Sequence, residues 1–497
     1  MKKWLVGASL IAAIGLSIPY GFGMLTQKGL ALRQAEINQH LNNDLALEIV
    51  QYQRGWFHST AQLKLSLHAK RFSDDLLKVL TPLLTPQGAQ NPDYFSVIMN
   101  VQITHGPFIF HKSNARLQMG VASLSGDCDL PWNEQVRQKV LSLIGQQSLC
   151  HIDSLVHFTG TTTSHVYSAK LNYANQQDDL KLVWNGLHLQ TEMNKDLDHV
   201  ALNLEVSPMS ASNFSGSTKM DSSNIALIAN LRRGIEDLWF GNVDIAMNSL
   251  NIILNNKPSF VAEHINAVSQ QSVQNQKVST TLKYTIEHIV ANNQQFGPSV
   301  FTLALNQLSA PHLKIVSDII NKNNLQTMTK EQLVFFGMQM VPDFLRMVDG
   351  ASMQMSFNTQ APEGLVNVNL AVSAPKQTGK HIDPLSIARE TQGSLQIVAP
   401  KNIVIGLMAD RMKEQVVQEA LQKAVTKGVV PDAELIATNA KLKAQNKLHA
   451  LVGDGWLMES QGDFKTDYHY QDGRIIANGV TKFDFLNPNA NQTKTVK

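Results

Sequence analysis

Sixteen histidines and two cysteines carry most of the chemistry open to this 497-residue chain. His151, His157 and His165 lie in neighbouring stretches that read as strands, and His105 and His111 flank the sequence GPFIF. Alternation along a strand places every second side chain on one face. His151 and His157 would then share a face, and imidazoles so gathered suit a divalent transition metal. The commoner arrangement is scattered histidines on a sheet surface poor in charge, and no metal site is assigned. Cys128 and Cys150 are the only cysteines. An even pair in an oxidising compartment reads as a disulfide. Closing a loop of about 20 residues would stabilise the chain by roughly 3 kcal/mol. The alternative is two unrelated buried thiols. Metal binding would need further ligands at suitable spacing, and His151 beside Cys150 is the one hint of it.

No Gly-x-Ser-x-Gly elbow, phosphate loop, His-Glu-x-x-His or dinucleotide Gly-x-Gly-x-x-Gly occurs in the chain. No catalytic residue and no cofactor is therefore assigned, and a non-enzymatic protein is expected.

Two short stretches have stronger structural content. In YQRGWFHSTAQLKLSL, residues 52–67, Gly55 lets the backbone bend and Arg54 can satisfy carbonyls or a carboxylate. Trp56 and Phe57 are read as core, packing on opposite faces where the first long strand begins. The alternative is an Arg-Trp pair exposed to lipid headgroups. In HGPF, Pro107 fixes its own φ and moves Gly106 away from the helical region. The expectation is a rigid strand kink with His105 at its lip and Phe108 starting a strand.

The elements that hold these residues follow from composition and pattern. Hydrophobic residues make up 43 % of the chain and charged residues only 16 %, against a usual charged share of about 25 %. A surface of Asn, Gln, Ser and Thr favours sheets over salt-bridged helices. The net charge is +2, too little to hold a phosphate backbone, so nucleic acid is not expected as a partner.

Residues 4–25 carry no charge and follow Lys2 and Lys3. At helical rise they cover about 33 Å, enough for a bilayer core. They are read as an uncleaved anchor, the alternative being a signal peptide cleaved near Gly29 and Ala31. The short basic N-terminus favours an N-in orientation with the rest exported, although Lys28 and Arg33 follow the run. The apolar stretch 401–409 is too short to form a second span.

After the anchor, residues 26–45 read as a helical stalk with Leu30, Ile37 and Leu41 as its apolar stripe. Alternation then dominates, at Ala61 to Leu67, Tyr167 to Tyr173, Leu180 to Trp184, Val200 to Val206, Val243 to Met247 and Leu303 to Leu305. The helical pattern of 73–86 is stopped by Pro82 and Pro86, and a short helix is expected between the cysteines. Residues 46–305 are read as a β-rich domain of antiparallel meanders.

Residues 306–485 read as an α+β domain. It has a helix over 310–322 and a second opened by a capping box of Thr329 and Gln332, with Pro342 disturbing its end. Strands follow at Met353 to Phe357 and Val366 to Val372. A long helix over 404–427 repeats Met408, Met412, Val416 and Ala420, with Gly428 as its cap and Pro431 opening the next helix. Two last strands flank the turn Asp472–Gly473, and residues 486–497 read as a disordered tail. The fold class is α+β, rich in β.

Four short elements recur in one order along this chain. They are Tyr-x-Arg-Gly-x-Phe-x-Ser at Tyr52, Arg54, Gly55, Phe57 and Ser59; His-Gly-Pro-Phe at His105, Gly106, Pro107 and Phe108; Leu-Trp-x-Gly at Leu238, Trp239 and Gly241; and Tyr-x-x-Gly-x-x-x-x-Asn-Gly at Tyr470, Gly473, Asn478 and Gly479. Together with the N-terminal apolar segment, this ordered set resembles the bacterial YdgA-like family, envelope proteins grouped as domain of unknown function 945. The stretch 125–155 with its cysteines departs from that family's pattern.

The resemblance implies a Gram-negative inner-membrane anchor through residues 4–25 and a large periplasmic body, with a homodimer as one state. It implies no reaction. Long alternating strands behind a tether lead to a first expectation of a lipid-binding or envelope-maintenance factor. The second is a scaffold for a periplasmic protein complex. The third is a hydrolase of envelope polymers, which would show clustered carboxylates or a Ser-His pair in a deep polar pocket.

Overall fold

The protein is seen in a computed structural model that describes residues 21–32, 34, 35, 38, 45–69, 94–111, 116–129, 137, 138, 141, 148–177, 179–291, 294–322, 329–376, 384–427 and 432–485. Its chain divides into two compact units: Met1–Arg232 with Leu250–Lys257, and Arg233–Ser249 with Pro258–Lys497. The expected boundary between residues 305 and 306 falls within one strand of the second unit.

The first unit opens with helix α1, residues 21–32. Strands β1 (Leu45–Gln53), β2 (His58–His68), β3 (Tyr94–His105), β4 (Phe108–His111), β5 (Arg116–Met119), β6 (Ala122–Asp129) and β7 (Cys150–Val156) follow. Four long strands come next, each broken once: β8 (Thr162–Ser168) with β9 (Leu171–Asn175), β10 (Leu180–Trp184) with β11 (Leu187–Met193), β12 (His199–Val206) with β13 (Met209–Ser212), and β14 (Lys219–Ser222) with β15 (Ile225–Arg233). One antiparallel ladder runs β1–β2–β3–β6–β7–β8–β11–β12–β15. A second runs β9–β10–β13–β14.

The breaks line up. At Gly186 (φ +91°) an added Cβ would meet Ser168 O at 2.9 Å. The Leu187 N–H donates to Ser168 Oγ, and the Ser207 N–H donates to Gly186 O. The strands therefore change direction together without leaving these backbone donors unpaired.

Period-2 patterning sets which face is buried. Ser59, Ala61 and Leu63 point inward from β2, and Val101, Ile103 and His105 do so from β3. Ala61, Leu63, Val101, Ile103 and Ala122 form a core cluster, and Leu30 of α1 packs on it. Each fully buried aliphatic side chain there contributes about 1.5–3 kcal/mol. Cys128 and Cys150 are directly opposed residues of β6 and β7 and form a disulfide with Cα atoms 5.0 Å apart. Of the helix expected between them, residues 137, 138 and 141 are helical and the remainder lies outside the described residues.

The second unit holds a 3-10 turn (Ile235–Asp237), β16 (Trp239–Leu254) as far as Ser249, β17 (Lys257–Gln274) from Pro258, β18 (Lys277–Ala291), β19 (Gln294–Phe296) and β20 (Ser299–Ser309). Helices α2 (Ala310–Lys322) and α3 (Lys330–Met347) follow, then β21 (Ser352–Ala361), β22 (Gly364–Ser373), α4 (Pro384–Glu390) and β23 (Gln392–Pro400). Helices α5 (Lys401–Lys427) and α6 (Ala433–Gly453) precede β24 (Met458–Ser460), β25 (Asp463–Gln471), β26 (Arg474–Ala477) and β27 (Val480–Asp484). The antiparallel ladder is β17–β18–β20–β21–β22–β23–β25–β26–β27.

The expected capping box is present: the Gln332 N–H donates to Thr329 Oγ1 and the Thr329 N–H donates to Gln332 Oε1. Pro342 does not disturb the helix end as expected. The helix runs through it to Met347, with Met340 before the proline and Met347 after it both packed on the core of Val278, Leu308 and Val316. Helix α5 starts at Lys401 rather than 404, where the Lys401 N–H donates to Gly462 O. It packs on α6 through Ala409 and Val416 against Ala440 and Ala444.

Among the described residues no helix is long and apolar enough to cross a membrane. Residues 21–25 of the expected anchor are helical. Residues 4–20 lie outside the described residues, as do Ile37 and Leu41 of the stalk, the 73–86 helix, Gly428, Pro431 and the tail 486–497.

Candidate functional site

Two of the sequence elements converge on one point beneath α1. Ladder pairing sets Ser59 opposite Ile103 and His58 opposite Thr104. His105 therefore lies one residue beyond the pairing, next to Ser59. Ser59 Oγ is 2.8 Å from His105 Nε2, and the two residues are 2 % and 3 % exposed. The Gly55 N–H donates to Ser59 Oγ at 3.3 Å, and the His105 N–H donates to Phe57 O at 2.9 Å. Gly23 of α1 lies directly over the imidazole, with its Cβ position 3.1 Å from His105 Nε2.

Two glycines make the approach feasible. A Cβ on Gly55 would sit 2.1 Å from His58 O, and one on Gly106 only 1.8 Å from Gly120 O. The Gly106–Pro107 peptide is cis. The strand kink is thus real, but His105 is buried rather than placed at a lip. The Trp56 and Phe57 side chains are half-exposed instead of core. Gly55 turns the chain so tightly onto His58 O that both aromatics leave the ladder before β2 begins. Tyr52 packs against the core under α1, and its hydroxyl has no hydrogen-bond partner among the described residues.

A hydroxyl within hydrogen-bond distance of an imidazole is the geometry of a nucleophile and its base. Here α1 covers the pair, with Gly23 over the imidazole. Burial pushes the His105 pKa below its ordinary value, and the neighbouring His58 charge adds to this. His105 Nδ1 has no partner among the described residues.

The other histidines are not gathered on one ligand. His151 Nδ1 lies 2.8 Å from Asp127 Oδ1 and its Nε2 3.3 Å from Asp153 Oδ1. His157 Nε2 lies 3.3 Å from Thr163 Oγ1. His165 Nδ1 lies 3.2 Å from His188 Nε2, and Tyr167 lies parallel to both rings, with its centroid 4.7 Å from that of His188 and 6.3 Å from that of His165. The His111 side chain lies outside the described residues. Among the described residues no three metal-ligating side chains are placed to hold an ion. Burial lowers the His151 pKa, but hydrogen bonding and charge from Asp127 and Asp153 outweigh it, so the group is raised. The His151 bond in turn lowers Asp127.

The remaining elements serve turns. Leu238 packs on the core of Val278 and Leu308, Trp239 starts β16, and Gly241 holds φ +151°. Asp472 and Gly473 turn β25 into β26, and Asn478 and Gly479 turn β26 into β27, all at positive φ. Tyr470 Oη donates to Ala388 O.

The family model described as a bacterial protein of unknown function, DUF945, matches residues 1–481. The chain belongs to the DUF945 family. The comparison with curated proteins and that with solved structures found no match.

One feature of this DUF945 protein is spread over whole sheets. In the first unit Leu189, Leu204 and Leu227 are register neighbours, as are Leu187, Val206 and Ile225. In the second unit Leu303, Met355, Leu370, Leu395 and Tyr468 form one row across five strands. These side chains lie on the apolar face of each sheet yet are only partly buried. Trp456, Tyr468 and Tyr470 join Leu370, Val372 and Leu395 around a groove of about 370 Å³, within the size range of about 300–1,000 Å³ that holds small ligands. Alternation in the sequence marks these faces on β12, β20, β21 and β22 but not on β11, β15 or β23, and their incomplete cover is not visible there.

Proposed function

We propose that this DUF945 protein is a non-enzymatic envelope factor, tethered to the bacterial inner membrane by residues 4–25 and exported, that binds lipid acyl chains on the apolar faces of its sheets. The carrying observation is the row Leu303, Met355, Leu370, Leu395 and Tyr468, apolar across five strands and still partly open. In a closed core such side chains would be sealed at interior density. Apolar ligands fit because the driving force is non-directional and scales with area removed from water. The disulfide agrees with an oxidising compartment.

A face-specific photo-crosslinking experiment in cells tests the reading. A benzophenone amino acid replaces Leu204, Leu370 or Leu395 on the apolar faces, or Asn203, Asn369 or Gln396 on the opposite ones. Phospholipid adducts are expected by mass spectrometry at the first three positions and not at the second three. Adducts absent everywhere, or equal on both faces, would overturn it. A phosphatase active only outside the cytoplasm, fused at the carboxyl end, is expected to be active; an inactive fusion of normal abundance would remove the exported placement.

A further inference from the structure

Hairpin β4–β5 turns its apolar face outward. Ile109 points inward and is 1 % exposed, while Phe108, Leu117 and Met119 are 62 %, 65 % and 59 % exposed. Phe108 and Met119 are direct cross-strand partners, and Leu117 lies two residues from Met119 on the same face. A two-stranded ribbon facing water ordinarily keeps its outer face polar. A contiguous apolar patch on such a ribbon marks a contact surface.

The position of the hairpin says what the contact is. It springs from the cis Gly106–Pro107 kink, where the Gly120 N–H donates to Pro107 O. His105, one residue earlier, lies beneath Gly23, and Phe22 packs on Phe158 with ring centroids 6.0 Å apart. From there α1 runs toward the core cluster that receives Leu30. The uncharged run of residues 4–20 therefore joins the folded unit at Gly21, at the same end as the hairpin. Half-exposed Phe57 and Phe158 belong to this end too. Aromatic and aliphatic side chains beside the exit of an apolar segment match the composition of a membrane–water interface.

We infer that the outer face of hairpin β4–β5, with Phe57 and Phe158, rests in the headgroup layer of the bilayer that holds residues 4–20. The inference rests on the tether proposed above and adds a second contact to it. The contact fixes how the first unit stands on the membrane, which a single flexible attachment does not.

Spin labels on the full chain, reconstituted in vesicles of phosphatidylethanolamine and phosphatidylglycerol, test this. Single variants F108C, L117C and M119C are labelled with the native disulfide closed. A12C reports on the tether. Q177C, in the exposed turn at the far end of β9, reports on water. Labels at 108, 117 and 119 are expected to collide severalfold more often with oxygen, relative to a water-soluble nickel chelate, than the label at 177. If those three match position 177 while position 12 reads as lipid, the hairpin contact is wrong and the tether stands. If position 12 is also aqueous, the tether has failed and the inference with it. Using three hairpin positions guards against one label disturbing the fold.

Discussion

Ser59 Oγ and His105 Nε2 stand 2.8 Å apart under helix α1, both almost completely buried. Removing one partner leaves a buried imidazole unsatisfied at both nitrogens, which costs about 1–3 kcal/mol. S59A is therefore expected to lower stability by that amount in urea denaturation at pH 8. A pH limb accompanies it. His105 has a folded pKa below its unfolded value, which is about 6.5. Above that value both states are neutral and nothing is lost. As pH falls below it the unfolded chain takes up a proton that the folded chain does not, so stability declines. H105N is expected to abolish this part of the decline. A wild-type and H105N pair with parallel profiles between pH 7 and 5 would refute the argument.

Two glycines in this neighbourhood should respond in opposite directions. A Cβ at Gly106 would lie 1.8 Å from the backbone oxygen of Gly120, whereas one at Gly29 in α1 meets nothing within 4 Å. G106A is expected to cost about 3 kcal/mol or more, or to prevent folding. G29A should gain about 0.5–1 kcal/mol, because alanine loses less backbone entropy in a helix. Thermal unfolding of the two proteins distinguishes them. Similar melting temperatures would mean that the Gly106 approach is not tight in solution.

Much of the fold was legible where one local rule sufficed. Alternation located β2, β20, β21 and β22, the Thr329–Gln332 pair located the start of α3, and Asp472–Gly473 located a hairpin turn. The Ser59–His105 contact was not legible, because nothing local says that β2 and β3 pair in a register that sets these residues side by side. A signal existed: Ser59 keeps the parity of Ala61 and Leu63, and His105 that of Val101 and Ile103. Both had to point into the same layer. The misplacement of Trp56 and Phe57 has the opposite origin. Strand parity does not carry past Gly55, whose backbone lies too close to His58 O for a Cβ.

His151 should give a pH dependence of the other sign. Its folded pKa is raised, with Asp127 and Asp153 offsetting the effect of burial. Stabilisation is then complete below the unfolded value of about 6.5 and is lost as pH rises through the folded value. H151N is expected to reduce stability at pH 5.5 and to leave it nearly unchanged at pH 9. Urea midpoints at the two pH values supply the test. An equal loss at both would assign His151 a packing role without charge.

Asn478 joins two separable effects that a short substitution series can resolve. Its backbone sits at φ +51°, a region in which most L-residues are strained by about 1–2 kcal/mol. Its side chain closes the turn from both sides: the Asp467 N–H donates to Oδ1 at 2.9 Å, and Nδ2 donates to Gly455 O at 3.1 Å. N478G keeps the backbone region and loses both side-chain bonds, a cost of about 0.5–1.5 kcal/mol for each. N478A loses the same bonds and adds strain, so it should be less stable than N478G by about 1 kcal/mol or more. N478D keeps the acceptor for the Asp467 N–H but sets a carboxylate oxygen against Gly455 O, so it too should be less stable than the wild type. Equal stability of N478A and N478G would dismiss the conformational part, and an N478G protein as stable as the wild type would dismiss the hydrogen-bonded part. Because this turn joins β26 to β27, and β26 pairs with both β25 and β27, the losses should appear as a lowered global midpoint.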